Sequence, residues 1–279
     1  VNRLQARIAK ATQENKWNTV KRLQYLLTHS YYAKVLAVRK VTTNKGKKTP
    51  GVDGVLWSTP AAKMRGVLTL TDKGYKAKPL RRVFIEKKGK KTKRPLGIPC
   101  MYDRALQALY ALALDPVSET TADTKSFGFR KGRCAQDACE YIFTALSRSY
   151  SPEWVLEGDI KGCYDHISHD WLIKHIPMDK SVLKQFLKAG FVFRDELFPT
   201  DAGTPQGGII SPILANLTLD GMQKVLSDHF DLSAKGEVSA FVHNKSKVNL
   251  VRYADDFIVT AATKEIAEEA KEILRDFLQ

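Results

Sequence analysis

Two aspartates stand side by side in Tyr253-Ala254-Asp255-Asp256, between apolar runs at Val248 to Val251 and Phe257 to Val259 that read as short strands. Like charges held so close raise one another's proton affinity and destabilise a fold unless a cation neutralises them. An Asp-rich hairpin turn is the competing reading of the tetrapeptide alone, since Asp suits turns. A third carboxylate shifts the balance. Asp159 ends the strand that begins at Trp154-Val155-Leu156, where a central sheet can set it beside the hairpin. Three hard oxygen donors without His or Cys select magnesium rather than zinc. A pair of such ions, about 3.5–4 Å apart, can activate an attacking 3′-hydroxyl and stabilise a leaving pyrophosphate. Asp159 and Asp255 are the expected bridging ligands. Asp256 is an outer or partial one, because neighbouring residues at a strand end cannot both point inward equally well.

A second constellation is Gly203-Thr204-Pro205-Gln206-Gly207-Gly208, just before an apolar helix. Its glycines let a base or sugar approach the backbone closely, and Gln206 offers hydrogen bonds to it. A plain capping loop explains the same residues.

The elements that must position these groups follow from the pattern of the chain. Leu4, Ile8, Trp17, Val20, Leu23, Leu27, Val35 and Val38 recur near helical spacing among Lys, Arg and Gln, predicting two amphipathic helices in the first forty residues. Thr42 to Thr49 is polar and ends in Pro50-Gly51-Val52-Asp53-Gly54, a loop by its Gly and Pro. Thr59 and Pro60 read as a helix cap with Pro at the first position. Arg82 to Ile85 and Pro95 to Ile98 are strands around a Lys- and Gly-rich segment, Glu86 to Arg94, for which a solvated hairpin tip is an equal alternative to a binding loop. Helices are expected over Tyr102 to Leu114, ending before Pro116, over Val182 to Ala189, over Ile209 to Leu226, and about Lys264 to Leu278. Strands interleaved with packed helices make a mixed α and β chain.

With 279 residues, 43% of them apolar, the chain can form one large domain or two joined lobes. Lys and Arg number 45 against 30 Asp and Glu, a net charge of +15, which points to a polyanionic partner: nucleic acid before an anionic membrane surface. No long uncharged apolar run exists to span a bilayer, and Val1-Asn2-Arg3 opens no secretory signal, so a cytoplasmic location is expected. Cys100, Cys134, Cys139 and Cys163 form no CxxC pair and have no matching His spacing. Packing roles are expected for them, not a zinc site or a disulfide framework.

Asp159-x-x-x-x-Tyr164, Thr204-Pro205-Gln206-Gly207-Gly208 and Tyr253-Ala254-Asp255-Asp256 stand in the order found in reverse transcriptases. Arg94 to Pro99, Phe127-Gly128-Phe129-Arg130, Gly203 to Asn216 and Arg252 to Phe257 resemble the blocks of group II intron-encoded reverse transcriptases, as do Pro50 to Gly54 and the helical leader. The likeness covers essentially the whole chain. It implies an α+β fold: the fingers and palm of a right-hand polymerase, with an antiparallel palm sheet backed by helices and a helical N-terminal extension. Residues 1–48 would be that RNA-binding extension, 49–150 the fingers and 151–279 the palm. The implied activity is that of an RNA-directed DNA polymerase, a nucleotidyltransferase that copies intron RNA into DNA during retrohoming and also supports splicing as a maturase.

The resemblance makes Asp159 and Asp255 catalytic metal ligands, Asp256 an assistant and the Ile160 backbone carbonyl a further ligand, with two magnesium ions for which manganese can substitute. Tyr164 matches the aromatic gate that leaves no room for a 2′-hydroxyl. Arg94 and one of Lys87 and Lys88 would hold the triphosphate as cationic donors. Gln206 and Gly207 would line the nucleotide pocket. The implied partners are group II intron RNA, an RNA template with a DNA primer, and deoxynucleoside triphosphates, in a bacterial cytoplasm with no membrane.

Three departures from the family pattern stand out. Lys131 replaces the usual Pro after Arg130, the loop from Lys87 to Lys93 is long and Lys-rich, and the chain ends one helix after Asp256, before a thumb. A truncated core is therefore expected, and a homodimer through surfaces that a longer chain would cover. Two other readings stay open: a non-enzymatic module that docks intron RNA for splicing, and an RNA-making polymerase with the same palm. The clustered carboxylates argue against the first, and Tyr164 and Ala254 against the second.

Overall fold

The computed structural model describes residues 1–86, 89, 93–230 and 245–279. In chain order the helices are α1 (Asn2–Gln13), α2 (Trp17–Thr28), α3 (Tyr31–Thr43), α4 (Pro60–Thr69), α5 (Met101–Thr120), α6 (Ala135–Leu146), α7 (Cys163–His166), α8 (His169–His175), α9 (Lys180–Leu187), α10 (Ser211–Leu219), α11 (Met222–His229) and α12 (Lys264–Leu278). The strands are β1 (Leu80–Glu86), β2 (Lys93–Ile98), β3 (Trp154–Asp159), β4 (Phe191–Phe193), β5 (Glu196–Phe198), β6 (Asn249–Tyr253) and β7 (Asp256–Ala261). This is an α+β chain with one mixed and one antiparallel sheet. It divides into two compact units, Val1–Thr120 with Cys163–Ala215, and Thr121–Gly162 with Asn216–Gln279.

The first unit is organised around α5, which α1, α2 and α3 flank. Leu106, Leu109 and Leu114 of α5 are at most 1% exposed, and Ile8, Val20, Leu27 and Val41 close over it. Each such side chain contributes about 1.5–3 kcal/mol by leaving water. The leader forms three helices rather than the two expected, because the chain turns at Asn15, in the left-handed region (φ 53°), and again at Ser30. Helix α5 also runs past the stop expected at Pro116. Proline cannot donate to the carbonyl four residues back. Here the Gln5 side chain supplies that missing donor, its Nε2 lying 2.8 Å from the Leu112 oxygen, and Gln24 donates to the Ala113 oxygen. The expected cap of α4 is present: Thr59 accepts from the Ala62 N–H, with Pro60 next.

The mixed sheet of this unit has the order β2-β1-β4-β5. Strands β1 and β2 pair antiparallel, whereas β4 joins β1 in parallel. The β4–β5 hairpin was not expected from the sequence. Its two loop residues, Arg194 and Asp195, both have positive φ, as a mirror-type two-residue turn requires.

The second unit is built on an antiparallel sheet of order β3-β7-β6. Helix α12 packs on β3 and β7 through a face that buries Ala267, Ala270 and Leu274, and α6 packs on β6. The single helix expected from Ile209 to Leu226 is broken into α10 and α11 at Gly221 (φ 114°), where the Asp123 carboxylate accepts the Gly221 and Gln223 N–H groups.

Cys100 and Cys163 are buried, as packing residues would be, but Cys134 and Cys139 are exposed, and all four are free thiols. Cys134 stands at the start of α6, where its N–H donates to the Asp137 carboxylate. Among the described residues no helix is long and apolar enough to cross a membrane.

Candidate active site

The carboxylates named by the sequence gather at one end of the antiparallel sheet. Asp159, the last residue of β3, lies directly opposite Asp256, the first of β7. Such cross-strand partners hold their Cβ atoms about 4.5–5.5 Å apart. Asp255 occupies the two-residue turn between β6 and β7, which closes on the Tyr253–Asp256 pair. Its backbone oxygen accepts the Ile160 N–H at 3.2 Å, so the chain leaving β3 is tied to the turn that carries the paired aspartates. Glu157 shares a strand face with Asp159, two residues earlier, and adds a fourth carboxylate. Sequence reasoning missed it; the i, i+2 spacing from Asp159 was the available signal.

Electrostatics reports the crowding. Burial raises the Asp256 carboxyl, and Asp255, Asp159 and Glu157, in that order, raise it further by repulsion. The end of this sheet is therefore a negative site whose charge a cation would relieve. Among the described residues no three His, Cys, Asp or Glu side chains form a ready-made metal cage. The carboxylates are sheet neighbours rather than a closed ligand shell. Their donors are all hard oxygens, which suits a magnesium-type ion.

Close packing fixes this geometry. Gly158 lies opposite Phe257, and a Cβ there would fall 2.3 Å from the Phe257 ring. Ala254 takes a left-handed conformation (φ 58°) with Gly128 pressed against it, so that a Cβ on Gly128 would lie 2.3 Å from the Ala254 nitrogen.

Within the first unit, Tyr164 and Gln206 line a cavity of about 250 Å³ together with Arg82, Gly97, Asp165 and Pro205. The glycine-rich loop is clamped on both sides. Thr204 N–H donates to the Tyr164 oxygen at 2.7 Å, and Gly97 N–H to the Gln206 oxygen at 2.8 Å. Gly203 (φ 82°) and Gly207 (φ 109°) are demanded by the protein's own backbone, since Cβ atoms there would fall 2.5 Å from the Tyr164 oxygen and 2.8 Å from the Gly97 oxygen. Thr204 also donates to Ser211 Oγ at the start of α10, so the loop that walls the cavity is tied to that helix as well.

Arg82 is the residue here that the sequence did not single out. Its guanidinium stacks 3.8 Å from the Phe191 ring centroid, and its buried Nε has no acceptor among the described residues. An arginine in mid-strand was the signal. Arg94 is exposed on β2 opposite Ile85, and neither it nor Gly207 lines the cavity. Lys87 and Lys88 lie outside the described residues. A larger cavity, about 550 Å³ and lined by Lys21, His29, Asp72, Tyr110 and Lys180 among others, contains none of the residues that the sequence pointed to.

Comparison with known proteins agrees with these motifs. The family described as reverse transcriptase (RNA-dependent DNA polymerase) matches residues 85–279, and the N-terminal domain of reverse transcriptase matches residues 1–70. The chain is 32% identical to the group II intron-encoded protein LtrA of Lactococcus lactis subsp. cremoris, over 98% of this chain and 54% of that protein. It is 30% identical to protein YkfC of Escherichia coli (strain K12), over 100% of this chain and 81% of the other. An uncharacterized 91 kDa protein in the cob intron of Schizosaccharomyces pombe is 31% identical over 70% of this chain. The chain thus spans about half the length of its Lactococcus relative. The three acidic positions, the glycine loop and the matched families together make this chain a member of the reverse transcriptase family, with relatives encoded in group II introns.

Proposed function

We propose that the chain is the polymerase core of a group II intron-encoded reverse transcriptase, joining deoxynucleotides to a DNA primer on an RNA template. In this reading residues 49–150 act as fingers, 151–279 as the palm of a right-hand polymerase, and 1–48 as an extension that binds intron RNA and supports splicing. The observation that carries it is the pairing of Asp159 with Asp256 beside a turn bearing Asp255, all backed by packed sheet. Clustered negative charge works against RNA binding unless it serves a cation.

Two magnesium ions, when bound, would supply Lewis-acid activation of the primer 3′-hydroxyl and of the leaving pyrophosphate. Asp159 and Asp255 would hold them, with Asp256 and the Ile160 carbonyl assisting. Tyr164 would exclude the ribose 2′-hydroxyl by occupying its space, while Gln206 and Gly207 contact the nucleotide. Arg94, with Lys87 or Lys88, would neutralise the triphosphate.

The test is primer extension on an RNA template with deoxynucleotides and magnesium, by the parent chain and by Asp255→Ala. Extension by the parent alone, with RNA binding equal in both, is the expected result. Equal RNA binding with extension by neither would replace the enzyme reading with that of an RNA-docking module.

A further inference from the structure

The turn that carries Asp255 is held from within the second unit by side chains that the metal chemistry does not use. Arg252 on β6 is completely buried. Its Nη1 donates to Asn216 Oδ1 and to the Ala254 backbone oxygen, each at 3.2 Å, and its Nη2 to Asp220 Oδ1 at 2.6 Å. Arg130, with a side chain 1% exposed, grips the same carboxylate from a different segment, its Nη2 lying 2.6 and 2.8 Å from the two Asp220 oxygens. Arg130 Nε reaches Ser126 Oγ at 3.1 Å. Asn216 links the two sides, since its Nδ2 donates to the Gly128 oxygen at 3.0 Å. Gly128 is the residue pressed against the Ala254 nitrogen.

These contacts converge on Ala254, the residue before Asp255. Arg252 holds its carbonyl, and Gly128 packs on its nitrogen. The residue needs holding, because its left-handed conformation (φ 58°) costs about 1–2 kcal/mol. Stability alone is a poor explanation for the cluster. A buried ion network seldom outperforms a well-packed apolar replacement, and its best-attested use is to specify one arrangement. Hydrogen-bonding groups behind metal ligands commonly have that task, orienting the ligand without touching the ion.

We propose that Asp220, with Arg130 and Arg252 as its two arms and Asn216 as the link to Gly128, is a positioning device. It fixes the Ala254–Asp255 peptide and so sets the direction in which Asp255 offers its carboxylate to a divalent cation. The proposal rests on the metal reading given above. Asp220, Arg130, Arg252 and Asn216 are positioning residues, acting through the turn rather than on substrate.

The experiment is Mn²⁺ binding by the chain, read from the electron paramagnetic resonance of the free ion, beside thermal unfolding of each variant. Asp220→Asn and Asn216→Ala are expected to weaken Mn²⁺ binding roughly 10- to 100-fold in chains that remain folded, the range usual for groups behind a metal ligand. Asn216→Ala removes no charge, so it carries the test if Asp220→Asn does not fold. Arg104→Lys is the comparison. Arg104 is buried and donates to the Pro99, Gly46 and Thr49 carbonyls, so its variant should lower the melting temperature and leave Mn²⁺ affinity unchanged. Lowered melting temperatures with unchanged Mn²⁺ affinity in both Asp220→Asn and Asn216→Ala would reduce the cluster to a structural role and overturn the proposal. Asp255→Ala separates the two failures. If it leaves Mn²⁺ binding untouched, the metal reading fails and this inference falls with it. If it abolishes binding that the Asp220 and Asn216 variants leave intact, the positioning inference alone is wrong.

Discussion

Tyr164 and Gly203 show how far single residues decide the shape of the cavity in the first unit. The Tyr164 backbone oxygen takes the Thr204 N–H, and the same oxygen would clash with any Cβ on Gly203. Removing the ring should enlarge the space beside Gln206 without loosening that backbone tie. For Tyr164→Ala we expect discrimination against ribonucleotides to fall roughly 10- to 200-fold, the worth of one steric contact in a packed pocket. Competition between dNTP and rNTP during extension measures it, and unchanged discrimination would refute the gate. Gly203→Ala acts on the other partner. It forces a side chain into a left-handed conformation and against a carbonyl, so urea unfolding should show a loss of about 1–3 kcal/mol. A variant as stable as the parent would mean that the loop can move away from Tyr164 at little cost.

At the scale of elements, Pro116 shows why some of the fold was legible in the sequence and some was not. Local signals worked where the physics was local. Thr59-Pro60 capped α4, β-prone runs became β1, β2 and β3, and the amphipathic pattern of Lys264 to Leu278 became α12. They failed where a distant group intervened. Pro116 ought to end a helix, yet Gln5, 107 positions before Leu112 in the chain, donates to the Leu112 carbonyl that proline leaves free. Gly221 ought to be tolerated within a long apolar helix, yet Asp123 caps a new helix there. The candidate site divides in the same way. Asp159, Asp255 and Asp256 were visible as residue types at strand ends, whereas Glu157, Arg82 and the Arg130–Asp220–Arg252 cluster acquire meaning only from pairing and burial. The Gln5 contact yields its own prediction. Gln5→Leu keeps the bulk but removes the donor, leaving the Leu112 carbonyl without its partner, at a cost of about 1–3 kcal/mol. Chemical denaturation of the variant checks it, and a loss below about 0.5 kcal/mol would mean that water serves the carbonyl equally well.

For the whole molecule the governing quantity is net charge. The chain carries +15 and still places four carboxylates at one end of a sheet, so the RNA affinity proposed for it would have to come from elsewhere on its surface. The leader supplies candidates in Lys10, Lys16, Lys21, Lys34 and Lys40, with Tyr25 and Tyr32 exposed among them at 62% and 74%. Basic side chains follow phosphates, and exposed aromatic rings stack on unpaired bases. Each phosphate neutralised releases condensed counterions, so binding should weaken linearly in log affinity against log salt, by about 0.7 per contact on single strands. If this chain makes about 6–10 such contacts, its RNA affinity should fall about 300- to 16,000-fold between 50 and 200 mM salt. Changing Lys10, Lys21 and Lys34 together to Gln should flatten the slope by about two, roughly 0.7 for each contact removed. Filter binding across a salt series reads both quantities, with Asp255→Ala expected to keep the parent slope. A slope unchanged by the lysine substitutions would move the RNA-binding surface off the leader and onto the rest of the chain.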